Sequence, residues 1–428
     1  MRAKLGHRSA LTVLVLVLGL TLVVGLNPAW AGSRQVTVRL WGHSNPAFVA
    51  ANEALIKEFE KENPDIRINY ETFPYDNFVP KLQTAFASGT EADVVEMFGM
   101  WVEPYAKAGR LDAVPSSVMS AQEIENTYFQ APLSGFEYNG KYYGFPREFN
   151  LENGGMIVNK KIFDAAEIKS YPKTWDEVIE VAKKLTKVDG RKIVQSGFHF
   201  IQGDPVTFLY LSLILQQGGN YWANDKVHVK FTTPEGYRAM QFMVDFVLKH
   251  KVVSPELPKA SPAFFQGIVA MYPRGPWIMG VAKQDYPQMS VEYVPLPSFG
   301  TTPPYFAAES GWGIVVSSRS KVKDAAWKFA RFMASKDASR AWNIKTFTIP
   351  AYKELATDPE LLKAMSPIKV SFDVLKYGRF IGPLQNRDRF FEIIFNRFSE
   401  AAFGKISSEQ AVKLIEKDLN SMIDEYVK

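Results

Sequence analysis

The amino-acid sequence predicts an α/β fold built on mostly parallel sheets, and two observations carry that prediction. The first is composition: of 428 residues, 46% are hydrophobic and 22% charged, which is typical of globular proteins with sizeable cores. The second is periodicity, because stretches in which every second residue is apolar alternate with stretches spaced for a helix. At roughly 100–200 residues per domain, the length corresponds to two or three domains.

The order of elements is clearest at the start of the globular region. Apolar residues alternate over 36–40, and a helical face over 48–59 follows and ends at residues 63–64, Asn-Pro. A second alternating stretch at 66–70 precedes a predicted helix over 77–88 and a buried strand over 93–97. Strand, helix and strand follow one another at the spacing of βαβ units. A mostly parallel sheet with helices on both faces is therefore predicted.

Further elements are predicted along the rest of the chain. Capping boxes open helices at Thr174 and at Ser407. The remaining predicted elements are strands at 156–158, 291–293 and 314–316 and helices at 206–217, 235–249, 322–334 and 387–403.

Residues 1–31 have the organisation of a secretory signal peptide. Three basic residues within the first eight precede an uncharged apolar run at 11–26, and Ala29 and Ala31 supply a small-x-small cleavage site. We expect cleavage after Ala31, which removes three basic and no acidic residues and lowers the net charge from +5 to +2. An uncleaved membrane anchor is the alternative, although the apolar run is shorter than the roughly 20 residues that span a bilayer.

The chain contains no cysteine. This excludes disulfides, thiolate zinc sites and a cysteine nucleophile, together with the lipid-modified cysteine of a bacterial lipoprotein. We therefore expect a freely diffusing protein exported into a periplasm. Basic and acidic residues total 50 and 45 and are interspersed, so no nucleic-acid partner is expected.

The usual motifs of catalysis are missing from the sequence. Phosphate-binding loops, dinucleotide-binding loops, zinc-protease helices and nucleophile elbows do not occur. The four histidines beyond the signal peptide are not at metal-ligand spacing. We expect no enzyme activity, no metal and no cofactor. Carboxylates are numerous, so a secreted glycan-active hydrolase or lyase stays open as a rival class.

Aromatic residues make up 14% of the chain, and several tryptophans lie in or beside loops rich in glycine and proline. Aromatic faces stack on the apolar faces of sugar rings, while neighbouring polar groups bond the hydroxyls. Burial in a core is the alternative for each ring. The tryptophans in question are Trp41, Trp101, Trp222, Trp277 and Trp312.

Short motifs follow one another from about residue 36 to the C-terminus. They include FEKENPDI at 59–66, the segment from KL at 81–82 to ADVV at 92–95, NKKIF at 159–163, PKTWDE at 172–177, GPW at 275–277, GWGI at 311–314 and AWKF at 326–329. In this order, behind a signal peptide, they resemble the bacterial extracellular solute-binding proteins of family 1. This is the maltose-binding-protein-like group that serves ABC importers. Ala92 and Val158 depart from the usual proline and tyrosine of that pattern.

The resemblance implies a two-lobed periplasmic binding protein fold of type II. Each lobe would be a mostly parallel sheet flanked by helices, and a multi-strand hinge would join the lobes. Lobe 1 would comprise 35–147 plus 312–345, and lobe 2 would comprise 148–308 plus 346–428.

The resemblance also implies a mechanism. A monomer would close its hinge on a small-molecule ligand and then dock on the permease of an ABC transporter. Presentation of the ligand to a sensory receptor would use the same closed form, so that role stays open.

Candidate ligand-binding residues come from strand ends and from the resemblance. Ligands bind beyond the carboxyl ends of strands in α/β sheets, which points to the loops after the first and third predicted strands. The resemblance adds the tryptophan of the GPW motif and residues at the lobe crossings. The full set is Trp41, His43, Asn45, Tyr75, Glu96, Trp101, Glu148, Asn150, Trp222, Arg274, Trp277, Gly311, Trp312 and Arg379, with Phe391 as a further addition.

Two ligand classes stay open. Met97 stands where maltose binders of the family use an aromatic residue, so a malto-oligosaccharide is not the expected ligand, and we expect another sugar or a sugar-like polyol. The alternative is a glycerol phosphodiester, because the branch of the family that binds such compounds shares a tyrosine like Tyr75 and a glutamate like Glu96. Arg379 or Arg274 would then bind the phosphate.

Overall fold

The computed structural model describes residues 35–427 except 383 and 385, so the predicted signal peptide lies outside the described residues. Within this part of the chain, no helix is long and apolar enough to cross a membrane. Strands and helices alternate along it, as the periodicity predicts.

The first third of the described chain forms most of one sheet. Its elements are β1 (Val36–His43), α1 (Pro46–Glu62), β2 (Ile66–Phe73), α2 (Tyr75–Ser88), β3 (Val94–Phe98), α3 (Val102–Lys107), α4 (Ala121–Thr127), α5 (Gln130–Ser134), β4 (Glu137–Tyr138), β5 (Lys141–Tyr142), β6 (Gly144–Pro146) and β7 (Glu148–Phe149). The middle of the chain is richer in helix. It comprises β8 (Gly155–Asn159), α6 (Lys160–Ala165), α7 (Trp175–Leu185), β9 (Lys187–Asp189), β10 (Lys192–Gln195), α8 (Gly203–Gln216), α9 (Pro234–Leu248), α10 (Ala260–Phe265), β11 (Met271–Pro273), α11 (Ile278–Asp285), β12 (Val291–Pro295) and β13 (Phe306–Ala308).

The last third returns one strand to the first sheet and then continues mainly as helices. Its elements are β14 (Trp312–Val316), α12 (Lys323–Met333), α13 (Lys336–Thr346), β15 (Ile349–Pro350), α14 (Pro359–Ala364), α15 (Lys369–Asp373), β16 (Gly378–Phe380), α16 (Arg387–Ala402) and α17 (Ser408–Val427). The helix α13 did not stand out in the sequence pattern.

Helix ends lie where side chains or glycine satisfy free backbone groups. The predicted capping box at Thr174 is present. Ser407 and Gln410 exchange the two bonds of the second box at 2.9 and 3.1 Å. Gly89 ends α2 with φ +75°, a left-handed conformation that glycine adopts without strain. These local predictions are confirmed.

The first sheet has the strand order β2-β1-β3-β14-β6. Its strand β1 is parallel to β2 and β3, whereas β14 is antiparallel to β3 and β6. The carboxyl ends of β1 and β2 therefore lie at the edge where β14 begins, and this edge carries one wall of the site described below.

The second sheet differs from the expected parallel arrangement. Its order is β11-β8-β12, and both neighbours of β8 are antiparallel to it. A short, continuously apolar strand such as 156–158 has the same pattern in either direction. The long helical excursion between β8 and β11 also leaves no local signal for the direction of return. The sequence therefore predicts the strand but not its polarity.

The described residues form two hydrophobic cores. One joins buried residues of 38–145 and 312–342 with Ala351, and the other joins buried residues of 151–308 with those of 347–423. Between the cores, β7 pairs with β15, and Asn150 forms a bridge with Glu309. We propose that the cores are the two lobes, with the boundaries predicted from the resemblance, and that these paired segments are the hinge.

Candidate functional site

A cavity of about 630 Å³, the central cavity, is lined by residues of both cores. It lies beyond the carboxyl ends of β1 and β2, where side chains are free of the sheet and can reach a ligand. Its lining includes eight aromatic rings, the His43 imidazole among them, and three arginine or lysine side chains, together with several carboxylates.

Aromatic rings packed on one another form the first wall of the central cavity. The His43 ring stacks on the Trp312 indole, with centroids 4.7 Å apart and planes 6° apart. Tyr75 lies edge-on to both rings at 6.0 and 6.3 Å, and Phe98 lies edge-on to Trp312 at 5.4 Å. The ends of β1 and β3, the start of β14 and the first residue of α2, which directly follows β2, supply these residues, so the sheet edge sets their spacing.

His43 is held as a neutral ring in this wall. Burial lowers the pKa of His43 to about 4, because the charged form would lose its hydration. Beneath it, the carboxylate of Glu96 accepts the His43 backbone N–H at 3.3 Å and is bonded from below by Asn52 and Arg147. The sheet floor therefore fixes the strand end that carries the ring.

The tryptophan of the facing wall, Trp277, is held by charged groups. Glu152 accepts the Nε1–H of Trp277 at 2.8 Å, and its other carboxylate oxygen lies 2.5 Å from the Arg274 guanidinium. That guanidinium lies 4.7 Å from the Trp277 ring centroid. Gly275 is required here, since a Cβ would lie 2.7 Å from the Trp277 ring. Burial raises the pKa of Glu152, while Arg274 acts in the opposite direction.

Arg387, the first residue of α16, lies where the two walls meet. It donates two hydrogen bonds to Glu309 at 2.9 and 2.7 Å, and it lies 3.4 Å from a carboxylate oxygen of Asp204. It also donates to the Tyr75 hydroxyl at 3.3 Å, and its guanidinium lies 4.8 Å from the Phe98 ring centroid. Arg387 thus connects residues of one core to residues of the other.

Glu148 and Asn150 supply polar groups at the paired segments between the cores. Glu148 accepts the backbone N–H of Trp312 at 3.1 Å, and burial raises its pKa to about 8, so its carboxyl is protonated at neutral pH. Asn150 donates to Glu309 at 3.2 Å. Gly311, at φ +86°, leaves room for Glu148, since a Cβ there would lie 2.6 Å from the Glu148 Cγ.

Eight of the fourteen predicted site residues line the central cavity. They are His43, Asn45, Tyr75, Glu148, Asn150, Arg274, Trp277 and Trp312. Asn45 also caps α1, accepting the N–H groups of Ala47 and Phe48. The structure places the other six outside this lining.

Three of those six lie behind the first wall. Trp41 precedes His43 by two residues, roughly 7 Å along the strand, and its ring lies beneath Lys81 of α2 at 4.3 Å. Glu96 belongs to the floor, with 0% of its surface exposed. Trp101 lies in the turn after β3 and packs edge-on against Trp312 at 5.4 Å.

The remaining three have local roles. Gly311 provides the backbone space already described. Trp222 donates its Nε1–H to the carbonyl of Ile381 at 3.0 Å. Arg379 is exposed and donates to the carbonyls of Lys376 and Gly378. The further candidate Phe391 is buried beneath Arg387, 4.2 Å from its guanidinium.

The sequence prediction missed several residues that line the central cavity. Those with polar groups include Glu152, Gln202, Asp204, Lys259, Ser261 and Arg387. Glu152 had a usable signal, because it lies two residues after Asn150 at the same predicted lobe crossing. Arg387 had none, since its carboxylate partners lie 78 and 183 residues away.

Each arginine at the cavity is already paired with carboxylates. Arg274 faces Glu152, and Arg387 faces Glu309 and Asp204. Across the described residues, no group of three or more His, Asp or Glu side chains is arranged to hold a metal ion. The arrangement therefore offers stacking surfaces and hydrogen-bonding groups.

A cavity lined from two α/β cores that are joined by paired strand segments defines a two-lobed solute-binding protein. The family model described as bacterial extracellular solute-binding protein matches residues 43–340. The chain belongs to this family, and the predicted class of protein is confirmed. Members of the family are substrate-binding proteins rather than enzymes, and they act outside the cytoplasm.

Individual relatives agree with that assignment. A binding protein of Brucella abortus is 28% identical over 80% of this chain and 81% of its own length. The galactooligosaccharide-binding protein of Bacillus subtilis is 22% identical over 83% of each chain. An ABC substrate-binding protein of Listeria monocytogenes, solved in complex with cycloalternan, is 25% identical. It superposes with a TM-score of 0.78 over 91% of this chain and 99% of its own.

Proposed function

We propose that the protein captures a neutral oligosaccharide in the central cavity and delivers it to the permease of an ABC importer. One observation carries the proposal: aromatic faces line the cavity, while its two arginines are each paired with a carboxylate. We propose the eight lining residues named above, together with Glu152, Asp204 and Arg387, as the ligand-binding set.

The charge arrangement favours an uncharged ligand. A phosphate or carboxylate ligand gains most from a free arginine fork, and here Glu309 occupies the fork of Arg387 while Glu152 lies against Arg274. A bound anion would also lie close to these buried carboxylates, which costs Coulomb energy in a low dielectric. This argues against the glycerol phosphodiester alternative.

The same groups suit sugar hydroxyls. A hydroxyl can donate to a carboxylate oxygen and accept from a guanidinium N–H at the same time. Trp277 and Trp312 offer ring faces to the apolar sides of pyranose rings. The Listeria relative binds cycloalternan and the Bacillus relative is a galactooligosaccharide-binding protein, which supports this ligand class.

Because both cores contribute lining residues, a ligand in the cavity contacts both. Such a ligand stabilises the closed form relative to an open one and shifts the population toward it. We propose that this closed monomer is the form that docks on the permease, and that binding proceeds without chemical conversion of the ligand. We also propose that the signal peptide is cleaved after Ala31 and that the mature protein enters the periplasm without a lipid anchor.

A thermal-shift screen tests the proposal. Neutral oligosaccharides, polyols and glycerol phosphodiesters are added separately, and a ligand that binds the native state raises the unfolding temperature by mass action. We expect a rise with at least one neutral oligosaccharide and none with the phosphodiesters. The variant Trp277→Ala should lose the rise, and Phe403→Ala, an aromatic truncation at a residue 54% exposed, should keep it. Chromatography of the incubated sugar should show no product, and steady release of one would contradict the non-enzymatic assignment.

A further inference from the structure

A second cavity, of about 430 Å³, lies beside the central one. The helices α2 and α3 line one side, and residues 386–388 with Tyr426 line the other. Arg387 lines both cavities. The second cavity is therefore also lined from both cores.

One layer of aromatic rings separates the two cavities. Trp101 lines the second cavity and packs against two rings of the central cavity, Trp312 at 5.4 Å and Tyr75 at 5.8 Å. The rings that face the proposed ligand thus have Trp101 directly behind them.

The outer surface of α2 connects the cavities. Asp76 lines the central cavity, whereas Val79 and Gln83 line the second. Spacings of three and four residues place these side chains on one face of the helix. Asp76 and Gln83 are exposed, so this face of α2 offers accessible groups to a ligand that extends from one cavity toward the other.

The second cavity combines aromatic and polar groups, as the central one does. Trp101 and Tyr105 present rings, and Phe86 supports Tyr105 at a centroid distance of 4.5 Å. On the facing side, Asn386 donates to the Tyr426 hydroxyl at 2.9 Å and so holds that ring in place. Rings with adjacent amide and hydroxyl groups are the chemistry that recognises a sugar.

We infer that the second cavity is an additional sugar subsite, and that the natural ligand is an oligosaccharide long enough to run from the central cavity along α2 into it. The inference rests on the proposed function and extends it from a ligand class to a ligand length. Short sugars would fill only the central cavity.

Calorimetric titration with chains of increasing length tests the inference. The probes are the series from maltose to maltohexaose and from mannobiose to mannohexaose, together with galacto-oligosaccharides. We expect the affinity for the bound series to rise roughly tenfold once the chain reaches the second cavity, about the value of one stacked and hydrogen-bonded unit. The variant Ala87→Trp places a large ring at the edge of this cavity. It should abolish the rise and leave the affinity for the shortest bound sugar unchanged.

Two further variants complete the test. Ala165→Trp makes the same change at an exposed helical alanine that lines neither cavity, and it should keep the length dependence. Tyr105→Ala removes a ring instead of blocking the space and should weaken long chains only. Short sugars that bind with no gain on lengthening, or equal weakening of short and long chains by Ala87→Trp, would overturn the second subsite and leave the proposed function intact. Failure of every neutral series to bind would overturn both.

Discussion

The two walls of the central cavity hold their aromatic rings by different means. On the first wall, His43, Tyr75, Phe98 and Trp312 pack on one another, and the sheet ends set their positions. On the facing wall, Trp277 depends on a hydrogen bond to Glu152 and on the Arg274 guanidinium near its ring.

This difference separates stability from recognition. Rings that pack on each other bury apolar surface whether or not a ligand is present, so the first wall contributes to folding. The Trp277 ring is only partly buried and so contributes less to folding, but its orientation decides how a sugar stacks. Substitutions on the first wall should therefore lower both stability and affinity, whereas substitutions on the facing wall should lower mainly affinity.

Trp312→Ala should have the largest effect, because it removes the centre of the packed wall. Trp312 is only 6% exposed, and truncation of a buried aromatic ring costs about 3–5 kcal/mol of unfolding free energy. We expect a loss of that size in urea unfolding, together with loss of measurable sugar binding. Unfolding free energy within about 1 kcal/mol of the original protein would show that the wall is not a packed unit.

Trp277→Ala should weaken sugar binding with little loss of stability. Its ring is only partly buried, so unfolding free energy should fall by less than about 1–2 kcal/mol. Sugar affinity, measured by calorimetry, should fall about a hundredfold because one stacking face is lost. If unfolding free energy and binding free energy fell by equal amounts, the two walls would not differ in role.

Glu152→Gln tests the role of the ion pair on the facing wall, because it removes only the charge of Glu152. The amide can still accept the Trp277 Nε1–H, but Arg274 loses its partner. We expect a fall of roughly tenfold in affinity for the neutral sugar and a gain in affinity for its anionic form. The matched control is Glu292→Gln, which removes an exposed ion pair with Lys160 and should change neither affinity. An unchanged preference for the neutral form in Glu152→Gln would mean that the pairing does not set selectivity.

Glu148 gives an effect of a different kind, a dependence on pH. Its pKa is about 8 in the folded protein and near 4.5 when solvated. The folded state therefore holds one more proton between these values, and unfolding free energy contributed by this group falls as pH rises from about 4.5 through about 8. Glu148→Gln resembles the protonated form, so its unfolding free energy should lack this decline. If thermal unfolding gave parallel pH profiles for the original protein and Glu148→Gln, Glu148 would not be the cause of the pH dependence.

The predictability of the site follows from how local each signal is. Helix caps such as Thr174 and Gly89 depend on neighbouring residues and were visible in the sequence. His43 ends β1 and Trp312 begins β14. The strand-end rule and the family motifs together predicted both positions. The same rule also selected Trp41. It identifies the end of a strand but does not distinguish a residue that faces the cavity from one buried behind the wall.

Features that depend on distant pairing could not be predicted. The antiparallel direction of β11 and β12 is set across more than one hundred residues, and no local pattern encodes it. The position of Arg387 depends on carboxylates at Asp204 and Glu309, which only the folded chain brings together. The charge pairing that argues for a neutral ligand could therefore not be predicted from the sequence.

A calorimetric comparison of one oligosaccharide in two charge states tests most directly whether the protein selects a neutral sugar. The sugar with the largest thermal shift is titrated in its neutral form and as the matching uronic acid, at the same pH and ionic strength. With both arginines paired, we predict that the neutral form binds at least a hundredfold more tightly. Equal or tighter binding of the acid would contradict the claim that this protein recognises a neutral sugar between its two walls.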